Sequence, residues 1–421
     1  MGLGIVPSIL LYIIFSLWFT YSCILSDAPS PMAMLFTHKV PRVLISFVEK
    51  IFGTKGVKIV RKISEKALLI IYLVIVLGCW SVMFTYGYDF MTRSEHVSSN
   101  HKISGYVVFM ACMWSWRKAN TTSPGYIVEG NIPRFDNYPY DDLLYANQKC
   151  SSLGFRKLAR SKYDRFTNSH VARFDHFCGW IDNTVGEENY RVFLLFLLIH
   201  VLMCAYGTFV TYHLFQGEIA DKNLVNAIFY NAETGKEVKA DYIVIAHYLF
   251  MKHFQVAAVS ILMAGMSAVL GLFLCFHLYI AANGMTTNEY YKWRQVKKWH
   301  KKEKSKYASA VAEGLVKKFA ASAKRSSGMG ELPDVDVGCV GPTGAVTGQS
   351  GAEELDNNRP TNIREDEQAD GIIDPGPFPK NIYNLGPVEN FKEIVFPRSL
   401  RRSKLAPSGD GGNSSSKAKA M

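Results

Sequence analysis

Phe254 to Met285 reads FQVAAVSILMAGMSAVLGLFLCFHLYIAANGM, a run of 32 residues without one charged side chain. About 20 apolar residues cross the hydrocarbon core of a bilayer as a helix. This stretch therefore decides the class: the chain has helices that belong in lipid. Working outward, three further runs carry no charge, namely Ile5–Leu25, Ala67–Tyr88 and Val192–Gln216. The rest of the 421 residues hold the charge, 47 Lys and Arg against 36 Asp and Glu, a net +11. A chain that is 48% hydrophobic and 20% charged is too apolar for general disorder. Eight cysteines in this length do not make a disulfide scaffold.

Ile103–Trp116 (ISGYVVFMACMWSW) is a harder case, because 14 uncharged residues fall short of a full span. Parity argues that it crosses. If it does, Ser26–Lys66, Arg117–Arg191 and the C-terminal tail share one side and carry 8, 11 and 22 Lys and Arg, while Asp89–Lys102 and Gly217–His253 carry 2 and 4. Basic loops stay in the cytoplasm, so the basic set is expected there. The expected fold is an all-α membrane protein, a multi-span helical bundle with a small cytoplasmic loop domain. It has five spans (5–25, 67–88, 103–116, 192–216 and 254–283), or four if 103–116 does not cross. The first is expected to stay uncleaved, since no basic segment precedes it and no small-residue cleavage site follows. Cys23, Cys79, Cys112, Cys204 and Cys275 lie in spans, and Cys150, Cys178 and Cys339 on the basic side. None lies in an opposite loop, so no disulfide is expected. The basic excess thus marks topology, and no nucleic-acid partner is expected.

Segment 117–191 separates the N-terminal membrane region (1–116) from the C-terminal one (192–285). Beyond it, 286–330 is basic: Lys292–Arg325 has 12 Lys and Arg against two Glu, suited to anionic lipid heads or simply a solvated flank. Residues 331–376 form an acidic linker expected to be disordered. Residues 377–400 regain aromatic and apolar character, as an island that packs on something. Residues 401–421 again read as a disordered tail.

From Cys150 to Phe193 the sequence is CSSLGFRKLARSKYDRFTNSHVARFDHFCGWIDNTVGEENYRVF. It contains Asp175-His176-Phe177-Cys178. A thiolate is the nucleophilic form of cysteine, a nearby imidazole can take its proton, and a carboxylate can hold that imidazole in one tautomer. A buried, inert Cys178 is the bland alternative. The string lies in a polar loop directly before a span, where a site facing lipid would sit.

The segment resembles the cysteine-rich domain of the DHHC protein S-acyltransferases (palmitoyltransferases). That resemblance rests on Lys157, Ala159, Arg160, Ser161 and Lys162, then Val171, Arg173, Phe174, Asp175, His176 and Cys178, then Gly179, Trp180, Asn183, Gly186, Asn189, Arg191 and Phe193. Ser123-Pro124-Gly125 resembles the family's D-P-G motif, and Thr286-Thr287-Asn288-Glu289 matches T-T-x-E. Tyr383, Gly386, Asn390 and Glu393–Pro397 resemble a C-terminal motif of a subgroup. The resemblance implies a membrane protein-cysteine S-palmitoyltransferase that uses palmitoyl-CoA as acyl donor and cytoplasmic-face proteins with acceptor cysteines as substrates. By it, Cys178 is the nucleophile that becomes S-palmitoylated, His176 the base and Asp175 its orienting partner. Thr286, Thr287, Glu289, Trp180 and Asn183 support the site. An endomembrane of the ER or Golgi, or the plasma membrane, is the expected location.

The departures share one feature. The family holds two zinc ions, each through three Cys and one His. Here the first set would be Cys150, Leu153, Tyr163 and His170, and the second Asp164, Thr167, Phe177 and Thr184. Structural zinc needs four N or S ligands in a closed set, so zinc is expected to be absent from the second site and at most weak at the first, through Cys150 and His170. The tetrad reads DHFC. One reading is a working enzyme whose loop domain is held by apolar packing of Leu153, Tyr163, Phe166 and Phe177 in place of metal. The other is a catalytically impaired membrane scaffold or binding protein. A transporter ranks lower, because the charge-free runs hold only His200, His213 and His277 as ionisable candidates.

Overall fold

The computed structural model describes residues 40–150, 153–230, 235–312 and 374–403. The expected span 5–25, Cys23 and Cys339, residues 313–373 of the basic segment and acidic linker, and the tail beyond 403 lie outside the described residues.

In chain order, helix α1 (Val40–Val82) runs through a π-helical turn at Met83–Gly87 into a short helix at Tyr88–Arg93, and α2 spans Asn100–Thr121. Five short strands follow: β1 (Tyr126–Ile127), β2 (Lys162–Asp164), β3 (Ser169–Val171), β4 (His176–Cys178) and β5 (Asn183–Val185). Then come α3 (Tyr190–Asp221), a hairpin of β6 (Ile228–Tyr230) and β7 (Glu237–Lys239), α4 (Tyr242–Lys252), α5 (Phe254–Ala282), α6 (Thr287–Ala312), α7 (Pro387–Val395) and α8 (Arg398–Ser403). α1 breaks at Gly53, whose φ of 62° lies in the left-handed region that glycine enters without strain.

Among the described residues three helices are long and apolar enough to cross a membrane: Lys66–Arg93, Tyr190–Asp221 and Phe254–Ala282. Their sides expose Leu68, Ile71, Val74, Leu202, Phe209, Leu272 and many like them. A soluble protein rarely leaves such surface bare, whereas lipid solvates it. The stretch 103–116 is the body of α2, a helix of 22 residues but less apolar than the other three. Gly217–His253, read from sequence as one loop, contains an apolar helix. α4 starts where the Asp241 carboxylate accepts from the Tyr242 N–H, a standard N-cap.

The chain divides into two compact units. The first holds residues 1–122, 177–183 and 192–276. Its core is Met83, Phe90, Met91, Val97, Val210, Leu214, Val256 and Val259. Polar groups inside it are paired, as hydrocarbon requires. The Tyr72 hydroxyl meets His200 Nε2 at 2.9 Å, and His200 Nδ1 lies 2.8 Å from the Phe196 carbonyl. Thr211 and Ser260 share a bond of 2.7 Å. His200 is thus a satisfied core histidine.

The second unit holds residues 123–176, 184–191 and 277–421. A three-stranded antiparallel sheet in the order β1-β3-β2 sets His170 between Ile127 and Tyr163. The C-terminal segment is part of this unit: the Tyr383 hydroxyl donates to the Pro139 carbonyl (2.9 Å) and Asn390 Nδ2 to the Ala282 carbonyl (2.8 Å).

Candidate active site

The chemistry gathers on a carboxylate. Asp175 precedes β4, is 2% exposed, and donates its backbone N–H to the Val185 carbonyl across the hairpin. Its Oδ2 accepts from His176 Nδ1 at 2.6 Å and from the Thr287 hydroxyl at 2.9 Å, and its Oδ1 accepts from the Thr287 N–H at 2.6 Å. Burial alone would raise this carboxyl. The hydrogen bond and charge of His176, the charge of His277 and the Thr287 N–H outweigh it and hold the group below the usual carboxylate range. Asp175 therefore stays ionised and fixes the His176 proton on Nδ1, which leaves Nε2 as the basic nitrogen. Cys178 follows His176 by two residues in the same strand. It is buried, at 8% exposure.

The Thr286–Glu289 motif does two jobs at the start of α6. Thr286 Oγ1 accepts from the Glu289 N–H at 3.2 Å, and Glu289 Oε2 accepts from the Thr286 N–H at 2.9 Å. This is a capping box, and it aims the next N–H, that of Thr287, at Asp175. The Glu289 carboxylate also receives Arg160 in a fork, Nε to Oε1 at 2.7 Å and Nη2 to Oε2 at 2.6 Å. Arg160 Nη2 further donates to the Gly284 carbonyl at 2.8 Å. The guanidinium lies 4.9 Å from the Tyr138 ring centre and 4.6 Å from that of Tyr383. Both partners are 1% exposed. Burial would neutralise each, yet the Glu289 charge raises the Arg160 pKa and the Arg160 charge lowers that of Glu289. The pair stays charged and anchors the start of α6.

Asn183 has a different task, within the first unit. Its Nδ2 donates to the carbonyls of Ala119 (3.0 Å), Asn120 (3.1 Å) and Thr122 (2.8 Å). Those are the orphan carbonyls at the C-terminus of α2. Asn120 Nδ2 returns a bond to the Ile181 carbonyl at 2.7 Å. The tip of the hairpin that carries Cys178 is thereby tied to a helix end. Trp180 contributes only its carbonyl, to Trp116 Nε1; its ring is 45% exposed.

The residues at the family's zinc positions do meet, though not as a metal site. At the first, Cys150 Sγ and His170 Nε2 are 2.8 Å apart and both are buried. Burial, with repulsion from Lys157, lowers the His170 pKa to about 4, so the ring is neutral. Leu153 is 43% exposed, and Tyr163 directs its hydroxyl to Asn168. Two donors remain where zinc needs four. At the second, Asp164 Oδ2 accepts from the hydroxyls of Thr167 (2.9 Å) and Thr184, and Oδ1 from the Phe166 N–H (3.0 Å). A carboxylate and two hydroxyls offer none of the soft donors of structural zinc. Zinc does not fit either position.

Of the side chains expected to pack in place of metal, Tyr163 lies against the His170 ring, with centroids 5.8 Å apart. Leu153 and Phe166 are 43% and 67% exposed. Hydrogen bonds donated to Asp164, and the Cys150–His170 pair, also hold these positions. Two results are expected. Asp164→Ala lowers stability by about 1–3 kcal/mol, the usual effect of leaving buried hydroxyls without an acceptor; calorimetry or differential scanning fluorimetry reads it. The second concerns pH. A histidine depressed from 6.5 to about 4 contributes stability above pH 6.5. That contribution declines as pH falls from 6.5 to about 4, by on the order of 3 kcal/mol. His170→Asn should flatten this part of a midpoint-against-pH curve.

His277, Tyr190 and Arg160 are the participants that sequence reasoning did not assign to the site. The Tyr190 hydroxyl meets His277 Nδ1 at 3.0 Å, and the rings of His277 and His176 are 5.7 Å apart. A histidine in a 32-residue run without charge was the available signal, since such a group needs a polar partner.

The sequence pattern of the DHHC palmitoyltransferase family matches residues 144–294. Palmitoyltransferase SWF1 of Yarrowia lipolytica is 28% identical over 299 residues, 70% of each chain. Palmitoyltransferase ZDHHC4 of Mus musculus is 31% identical over 181 residues, 42% of this chain and 52% of that one. Palmitoyltransferase swf1 of Aspergillus fumigatus is 33% identical over 204 residues, 47% and 49% respectively. The alignments thus span 70% of the first relative and about half of the other two. Residues 144–294 thus carry the pattern of the DHHC palmitoyltransferases, and the chain is similar to palmitoyltransferases over up to 70% of its length.

Proposed function

We propose that this chain transfers a long-chain acyl group, palmitoyl or similar, from acyl-CoA to cysteines of proteins at the cytoplasmic face, through an acyl-Cys178 intermediate. The observation that carries the reading is the Asp175 carboxylate, bonded to His176 Nδ1 and held twice by Thr287. His176 Nε2 takes the Cys178 thiol proton. The thiolate attacks the thioester carbonyl, the C–S bond to CoA breaks, and the CoA thiolate recovers that proton. An acceptor cysteine then gives its proton to His176, attacks acyl-Cys178 and leaves the Cys178 thiolate, which is reprotonated. Each step exchanges one thioester for another, so positioning and thiol activation matter more than driving force. The spans solvate the acyl chain, and the basic α6 on the cytoplasmic side suits the phosphates of CoA.

Asp175→Asn tests this. It keeps the shape but loses the charge that fixes the His176 tautomer, so the rate of acylation by labelled palmitoyl-CoA should fall by about 10²–10⁴-fold, with Cys178 still open to alkylation. A wild-type rate in this variant would overturn the assigned roles.

A further inference from the structure

The side chains of Asp175, His176 and His277 each offer a donor atom, and these atoms lie within 4.8 Å of one another, the one such convergence of three donors among the described residues. We propose that they form a binding site for a single divalent transition-metal ion of the zinc class, whose occupancy blocks acylation.

Two imidazoles and one carboxylate suit zinc and its neighbours and leave one coordination position open. The set is also oriented from behind, as metal sites are. Thr287 grips the carboxylate through its N–H and its hydroxyl. The Tyr190 hydroxyl meets His277 Nδ1, which leaves Nε2 as the coordinating nitrogen. His277 is fully buried and Asp175 nearly so, while the His176 side chain is 24% exposed and gives the ion a way in. Bonds of about 2.0–2.2 Å in a tetrahedron bring donors to roughly 3.3 Å from each other, a closure that rotation of the two rings supplies. Magnesium and calcium prefer sets of oxygen atoms and should not compete.

Bound metal occupies a nitrogen of His176. Coordination through Nε2 removes the basic lone pair, and coordination through Nδ1 displaces the bond to Asp175. In both cases Cys178 loses its proton acceptor. The blocking effect rests on the acyl-transfer reading above; the binding of metal does not.

The test uses the purified full chain in detergent, stripped with chelator and dialysed against Co²⁺. One ion per chain is expected, with a visible cobalt spectrum that lacks a sulfur-to-metal charge-transfer band. His277→Gln should weaken binding at least tenfold, and Cys150→Ser should leave it unchanged. Absence of binding, a charge-transfer band in the wild-type spectrum, or full binding by His277→Gln would each overturn the site. The wild-type spectrum decides the matter even if the variant misfolds. Metal binding by a protein that never acylates would sink the acyl-transfer reading and leave the site standing. A metal-free enzyme that acylates but binds no cobalt would do the reverse.

Discussion

Cys178→Ala abolishes acylation of the chain by palmitoyl-CoA, a loss of about 10⁴-fold or more against wild type. The effect is this large because, in the proposed mechanism, the cysteine forms the covalent bond and no water or hydroxyl replaces a thiolate there. Cys178→Ser should be nearly as inert, since a hydroxyl beside His176 is a far weaker nucleophile than a thiol. Among the described residues, the other cysteines should not compensate. Cys79, Cys112, Cys204 and Cys275 belong to the helices, and Cys150 is paired with buried His170. Labelled palmitoyl-CoA, gel fluorography and hydroxylamine release of the label measure the effect. Circular dichroism should show the variant folded, because removing a sulfur from a small buried side chain disturbs little.

Arg160→Ala should reduce the stability of the folded loop domain by about 3–5 kcal/mol, the magnitude seen when one partner of a buried ion pair is removed. The Glu289 carboxylate would be left buried with the Tyr145 hydroxyl and the Thr286 N–H but without its bidentate guanidinium. Tyr138 and Tyr383 would lose the guanidinium between them. Activity should fall too, because Glu289 caps α6 and the same turn presents Thr287 to Asp175. Arg160→Lys should recover only part of the loss, since a single ammonium cannot reproduce the fork to both carboxylate oxygens. Arg160→Ala combined with Glu289→Leu should be less harmful than Arg160→Ala alone, as no uncompensated charge then remains. Urea or thermal unfolding followed by tyrosine fluorescence reads these differences.

The membrane helices were legible because length and lack of charge are one-dimensional properties. Runs at 67–88, 192–216 and 254–283 anticipate the helices Lys66–Arg93, Tyr190–Asp221 and Phe254–Ala282. The pairing of Asp175 with His176 was legible because the two are adjacent. What escaped depends on distant segments meeting. Arg160 and Glu289 are 129 positions apart, and Thr287 and Asp175 are 112 apart. Nothing local to Arg160 announces its partner. Asp164, Thr167 and Thr184 could be placed at old metal positions from sequence, but the bond from Thr184 to Asp164 joins residues 20 positions apart. Leu153 and Phe166, at 43% and 67% exposure, show that apolar identity alone does not say how far a turn buries its side chains.

The most direct test is labelling of the purified full chain after exhaustive chelation. Incubation with labelled palmitoyl-CoA should give one hydroxylamine-labile acyl group per chain, mapped to Cys178, absent from Cys178→Ala and undiminished by the chelator. No label on the chelated wild-type protein, or label that persists in Cys178→Ala, would contradict an acyltransferase that works through Cys178 without a zinc-held domain.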